Sequence, residues 1–153
     1  MIKREMSSTL KKVAKEYPVV LVHGPRQSGK TTICRAVFSD KPYVSMENPD
    51  TRSRALEDPR GFLADFPNGV ILDEIQRTPN LLSYMQQIVD EKKQNGFFIL
   101  TGSDNFSLQQ ITSQSLTGRI ALLTLLPFSM KEIKSETWLA GTDKRILYGG
   151  YPR

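Results

Sequence analysis

One cysteine among 153 residues leaves no partner for an internal disulfide, which excludes a disulfide-stapled scaffold and fits a reducing compartment. Long apolar runs are also missing. The longest, residues 120–126, falls far short of the ~20 residues that cross a bilayer and reads as a core strand. The N-terminus is basic but no apolar run follows it, so no secretory leader is expected and the setting reads as cytoplasmic. No internal repeat or low-complexity tract is visible, which argues against solenoids and arrays. A chain of 153 residues is the size of one domain with a real core. Histidine occurs once, as His23; a catalytic role is open to it, but packing at a strand end is the preferred reading.

What the chain does have is an apolar run, Val19 to Val22, followed by GPRQSGKT at 24–31. The pattern G-x-x-x-x-G-K-[ST] after a strand and before a helix is the phosphate-binding P-loop. Gly24 and Gly29 permit backbone angles and close approach that a Cβ would obstruct. The amides of Pro25's successors Arg26, Gln27 and Ser28 can then face the β- and γ-phosphates, with Thr32 extending the binding segment into the helix. Lys30 brings a mobile positive charge, and the Thr31 hydroxyl suits Mg²⁺. These residues imply a nucleoside triphosphate, ATP, as ligand.

The run Val70-Ile71-Leu72-Asp73-Glu74 is a second apolar strand, ending in two carboxylates. A strand buried on both faces reads as a continuous hydrophobic run, so a central parallel strand is expected. At its carboxyl end Asp73 would hold Mg²⁺ through water, and Glu74 is the natural general base for an attacking water. Residues 43–47 and 97–103 supply further strands. Ser103, where the latter ends, is a candidate polar sensor of the γ-phosphate, with Thr101 and Asn105 as alternatives. Ser103 or Asp104 could equally only cap the next helix.

Helical patterns separate these strands. Ile2, Met6, Leu10 and Val13 share one face of an opening helix, and residues 31–38 continue the P-loop, with Cys34 packing as a small apolar residue. Two short helices are expected over 50–66, the second starting at Asp58-Pro59. Thr78-Pro79 reads as an N-cap with proline at the first helical position, and Asn95-Gly96 as the stop. A weaker helix is expected over 104–115. Strands alternating with helices imply an α/β fold of three layers, with helices on both faces of a mostly parallel five-stranded sheet.

The chain resembles the prokaryotic AAA-type P-loop ATPases. GPRQSGKTT at 24–32, YVSMENPD at 43–50, ILDEIQRTPNLL at 71–82, FILTGSDNFSL at 98–108, SLTGR at 115–119, LLPFSMKEI at 125–133 and GGYP at 149–152 carry the likeness in family order. The resemblance implies the additional-strand topology, in which the strand before Ser103 lies between the P-loop strand and the Asp73 strand. It implies that Arg119 is an arginine finger, acting within the chain or on a neighbouring subunit, where the bland alternative is a surface arginine paired with an acid. It also implies a C-terminal domain of nuclease-like character beyond residue 153. On that expectation the chain is a single ATPase domain: an expressed fragment, a truncated reading frame or an isolated domain.

Charge adds little to this. Lysine and arginine number 21 against 16 acids, for a net charge of +5 and a pI near 9.4. Lys11, Lys12 and Lys15, and Arg52, Arg54 and Arg60, form groups interrupted by acids, without a zinc-finger or RNA-binding aromatic signature. A solvated basic surface partly neutralised by bound triphosphate is therefore preferred over a nucleic-acid interface. The sequence reading is Mg²⁺-dependent ATP hydrolysis driving a nucleotide switch, with homo-oligomerisation open. A small-molecule kinase is disfavoured because no acceptor lid is apparent, and a GTPase because no N-K-x-D segment occurs. A regulatory or DNA-associated nucleotide-binding module with little turnover is the alternative from another class.

Overall fold

The computed structural model describes residues 4–103 and 115–133. Helix α1 (Met6–Glu16) leads into strand β1 (Val19–Gly24), and helix α2 (Lys30–Val37) follows the P-loop. Strand β2 (Tyr43–Ser45), helices α3 (Pro49–Glu57) and α4 (Pro59–Ala64), strand β3 (Val70–Asp73), helix α5 (Leu81–Lys92), strand β4 (Phe98–Ser103) and strand β5 (Ile120–Thr124) complete the frame, with a short helix at Met130–Ile133. Ile2, the expected helix at 104–115 except its last residue, Asn105 and the GGYP stretch lie outside the described residues.

The five strands lie in the order β2-β3-β4-β1-β5, and every pairing is parallel. β4 is thus inserted between the P-loop strand and the Asp73 strand. Every residue of β1 and β3 is buried, as expected for strands covered on both faces. The period of two divides the core. Val19, Leu21, Val70, Leu72, Phe98 and Leu100 face Met46, Ala55, Phe62, Leu82, Met85 and Val89, contributed mainly by α3 to α5. Val20, Val22, Ile71 and Ile99 face Leu10 and Ala14 of α1 and Ile33 and Cys34 of α2. Each such buried aliphatic side chain contributes about 1.5–3 kcal/mol over its exposed state. The result is three layers with the P-loop held at one end of the sheet.

Local chemistry sets the helix boundaries. Asn48 Oδ1 accepts from the amides of Asp50 (2.9 Å) and Thr51 (3.2 Å), starting α3 ahead of Pro49. Asp58 Oδ1 accepts from Gly61 N at 3.0 Å and starts α4 in the same way. The Thr78-Pro79 start is not what forms. Ile75 is fully buried and draws the chain after β3 into a 3₁₀ turn, Ile75–Arg77. Thr78 is itself buried, its carbonyl accepting Leu81 N at 3.1 Å, and α5 begins only at Leu81 with no side-chain cap. The helix also stops earlier than Asn95-Gly96. Lys93 takes the left-handed conformation (φ 51°) and ends it. Asn95 and Gly96 instead dock the next segment onto α1, through Asn95 Nδ2 to Lys15 O (2.7 Å) and Gly96 N to Tyr17 O (2.8 Å).

Candidate functional site

The carboxyl ends of parallel strands leave a crevice where the chain departs into different layers, and here β1, β3 and β4 converge on it. The P-loop turns sharply out of β1. Gly24 has φ +146°, and a Cβ there would lie 2.2 Å from the Leu125 carbonyl oxygen. Gly29 has φ +90° and leads directly into α2. Gln27 is also left-handed, at φ 62°, so the loop holds a residue that ordinarily avoids this region. Inside the loop, Lys30 is buried and its ammonium donates to the carbonyls of Gly24 (3.0 Å) and Pro25 (2.8 Å). Ser28 is fully buried, and its hydroxyl has no hydrogen-bond partner among the described residues.

Beside the loop stands a buried carboxylate ringed by hydroxyls. Thr31 Oγ1 donates to Asp73 Oδ1 at 2.8 Å, and Tyr43 OH donates to Asp73 Oδ2 at 2.8 Å. Thr101 Oγ1 donates to Asp73 Oδ1 while accepting from the Glu74 amide at 3.3 Å. Burial pushes the Tyr43 hydroxyl up to about 12, with the hydrogen bond to Asp73 and its charge acting in the same direction, so it stays a donor. Burial likewise pushes the Cys34 thiol up to about 12, Asp73 adding to the effect and Lys30 opposing it; Cys34 is inert packing.

Glu74 takes a left-handed backbone conformation (φ 58°, ψ 47°) immediately after β3. Its side chain borders a cavity of about 690 Å³ lined by Arg26, Gln27, Gly29, Lys30, Thr31, Thr32 and Glu47. Gln76 Nε2 donates to Glu74 Oε2 and, at 2.9 Å, to Ser103 Oγ. The structure therefore brings Lys30, Thr31, Asp73, Glu74, Thr101 and Ser103 together at one end of the sheet. His23 sits just beneath, buried, its Nε2 3.0 Å from Thr124 Oγ1 on the neighbouring strand.

Arg119 is not among them. Its carbonyl accepts from Val19 N at 3.1 Å, which places it at the opposite end of β1 from Gly24. Five residues of strand put these ends roughly 16 Å apart. Its guanidinium makes a two-point pair with Asp90 of α5, Nε to Oδ1 at 2.5 Å and Nη2 to Oδ2 at 2.9 Å. That hydrogen bond holds the Asp90 carboxyl below its usual range.

Several residues of this region carried no sequence signal. A tyrosine opening a strand ordinarily packs, so Tyr43 did not stand out, and nothing about an amide two positions past an acidic pair singles out Gln76. Arg4 was equally silent. It donates from Nη1 to the P-loop carbonyl of Ser28 (3.0 Å), from Nη2 to Leu126 O (2.5 Å) and from Nε to Glu132 Oε1 (3.0 Å). Its guanidinium also lies 4.4 Å from the centroid of the Phe128 ring. Glu132 further accepts from the amides of Glu5 (2.9 Å) and Ser129 (2.8 Å).

A strand, a glycine loop and a helix on a parallel sheet of this order define a P-loop NTPase type of domain. The chain belongs to the AAA domain family, whose pattern matches residues 16–134. It is 33% identical over 152 residues to uncharacterized proteins of Mycobacterium bovis and Mycobacterium tuberculosis, an alignment covering 98% of this chain and 33% of each relative. The chain thus spans about a third of the length of these curated relatives. Among solved structures it is similar to AMPPCP-bound DnaA from Aquifex aeolicus (TM-score 0.62, 16% identity, covering 100% of this chain and 55% of that one). It is also similar to a Walker-type ATPase of Pyrococcus abyssi (0.58, 19%, 86% and 55%) and to the RuvB branch migration motor of Thermotoga maritima (0.56, 21%, 88% and 49%). At these identities the structural likeness establishes the fold alone, while family membership supports a general role in nucleotide binding and hydrolysis. Among the described residues, no helix is long and apolar enough to cross a membrane.

Proposed function

We propose that this domain binds ATP with Mg²⁺ and hydrolyses its β–γ bond, serving as a nucleotide switch for other parts of a longer protein. The observation that carries this reading is the Thr31–Asp73 hydrogen bond, 2.8 Å long, beside the P-loop lysine. A hydroxyl and a carboxylate fixed together at a helix N-terminus are the oxygen donors that a hard cation shared with phosphates needs. Thr31 and Asp73 would hold the ion, which when bound neutralises charge on the phosphate oxygens. The loop amides and Lys30 would hold the triphosphate, the lysine exchanging its bonds to Gly24 and Pro25 carbonyls for phosphate oxygens.

Glu74 borders the same cavity and is assigned as general base. It takes a proton from water as the water oxygen bonds to the γ-phosphorus. The bond from that phosphorus to the bridging oxygen breaks, leaving ADP and inorganic phosphate. Ser103, ending the strand paired with Gly24, is assigned to sense the γ-phosphate. Arg119 is assigned to the γ-phosphate of a neighbouring copy, since it stands at the far end of its own sheet.

The reading is tested at Lys30. Losing one charge-assisted contact of ~1.5–3 kcal/mol should weaken ATP about 10–100-fold in Lys30→Ala. Equilibrium titration with a fluorescent ATP analogue measures this, and unchanged affinity would remove the P-loop assignment.

A further inference from the structure

Gln76 belongs neither to the P-loop nor to the acidic pair, yet it contacts Glu74, which borders the cavity, and Ser103, which ends β4. Its side-chain nitrogen carries two hydrogens and uses both, one on the Glu74 carboxylate and one on the Ser103 hydroxyl at 2.9 Å. The orientation of the amide is dictated by chemistry, because an ionised carboxylate only accepts and must face the NH₂ group. Its oxygen is left buried with no partner among the described residues. The two bonds from its nitrogen give the Gln76 amide one defined placement between Glu74 and Ser103. The 3₁₀ turn Ile75–Arg77, anchored by the buried Ile75, is what fixes the amide between β3 and β4.

We propose that Gln76 is a positioning residue for hydrolysis, tying the carboxylate of Glu74 to the hydroxyl of Ser103 so that base and γ-phosphate-facing strand end keep one fixed geometry. The inference rests on the reading of Glu74 as base. A bound γ-phosphate engages Ser103, and through Gln76 the carboxylate is held at the distance an attacking water must span. Without the amide, Glu74 has other rotamers open to it, and productive placement of water becomes rare. Binding of the triphosphate, which depends on Lys30 and the loop amides, is untouched.

Single-turnover hydrolysis, kcat, KM and analogue affinity are measured for the full chain as wild type, Gln76→Met, Gln76→Asn, Glu74→Gln, and the Glu74→Gln/Gln76→Met double variant. Methionine keeps the length of the side chain and fills its space without donors, so the turn should survive; asparagine keeps the donors on a shorter stem. The expected result for Gln76→Met is a kcat about 10–100-fold lower, with affinity and KM within about twofold. Gln76→Asn should recover part of that loss. In the Glu74→Gln background the added Gln76→Met should change the residual rate less than about twofold, because the group it positions is already disabled. Unchanged kcat in Gln76→Met overturns the proposal, and so does a loss confined to KM and affinity. If Glu74→Gln remains slow in either case, the base assignment stands while the positioning role falls. If Glu74→Gln is as fast as wild type, the base assignment falls and takes the positioning role with it.

Discussion

At Asp73 three hydroxyls, from Thr31, Tyr43 and Thr101, converge on one carboxylate. Its donors fix the Asp73 side chain in one orientation, so it stays in place for a cation without needing a second acid. Glu74, one residue on, has a different task and a different environment: it borders the cavity and is only half-buried. The pair can therefore be separated experimentally. Glu74→Gln keeps size and hydrogen-bonding reach but cannot take up a proton, so Mg²⁺–ATP binding should persist while hydrolysis falls by about 10²-fold or more. Phosphate release beside analogue titration checks both halves, and equal rates for variant and wild type would refute the base.

The elements around the site leave the P-loop almost no freedom where it leaves β1. A Cβ at Gly24 would come within 2.2 Å of the Leu125 carbonyl oxygen, which belongs to backbone and cannot swing aside. Leu125 N also donates to His23 O at 2.7 Å, locking the two segments together. Gly24→Ala should accordingly lower the urea unfolding midpoint by the equivalent of more than about 2 kcal/mol, beyond what the positive φ alone would cost. A variant as stable as wild type would show that the crossing can open. The strands, the two-sided burial and the P-loop were legible in the sequence because each rests on a local pattern: unbroken apolar runs such as 70–72 and glycines at fixed spacing. The start of α5 was not. Thr78-Pro79 has the local chemistry of a helix start, but the burial of Ile75 outweighs it, a tertiary demand that no window of sequence displays. Gln76 and Arg4 were hidden for the related reason that Ser103, which Gln76 reaches, and Ser28, Leu126 and Glu132, which Arg4 reaches, lie 24 residues or more away in sequence.

For the molecule as a whole, the two ends of the sheet carry different risks. At one end Arg119 is paired with Asp90 on the surface, where solvent screens the attraction, so the pair can be surrendered to a stronger partner. If it serves a neighbouring copy, hydrolysis per molecule rises with protein concentration. Mixing Lys30→Ala with Arg119→Ala should then recover activity that neither has alone, since one supplies the finger and the other the intact loop. An Arg119→Ala protein as fast as wild type, under conditions where wild type turns over, would end this assignment. At the other end Arg4 holds the P-loop carbonyl of Ser28 and is itself held by Glu132. Burial alone would raise the Glu132 carboxyl, but the Ser129 and Glu5 amides and Arg4 outweigh it and hold it below the ordinary value of 4.5. A lowered folded-state value means stability that is present above the unfolded-state range and lost as pH falls through the folded one. Urea midpoints should therefore favour wild type over Glu132→Gln near neutrality and converge as pH drops below about 4.5. A gap that does not narrow as pH falls from neutrality into the acid range would place the role of Glu132 in its shape rather than its charge.

The insertion of β4 between β1 and β3 bears on how the chain comes together in time. A growing polypeptide that has emerged only as far as residue 95 can form the β2–β3 pair, but β1 has neither of its neighbours, Phe98 to Ser103 on one side and Ile120 to Thr124 on the other. Its six residues, buried in the folded domain, lack any strand partner until Phe98 to Ser103 have emerged. Pairings this distant in sequence are closed late and at high entropic cost, so assembly is slow and close to all-or-none. During synthesis, among the described strands, β1 with its run Val19 to Val22 is the one that waits longest for a strand partner, and a chaperone that shields extended apolar segments would find its first purchase there.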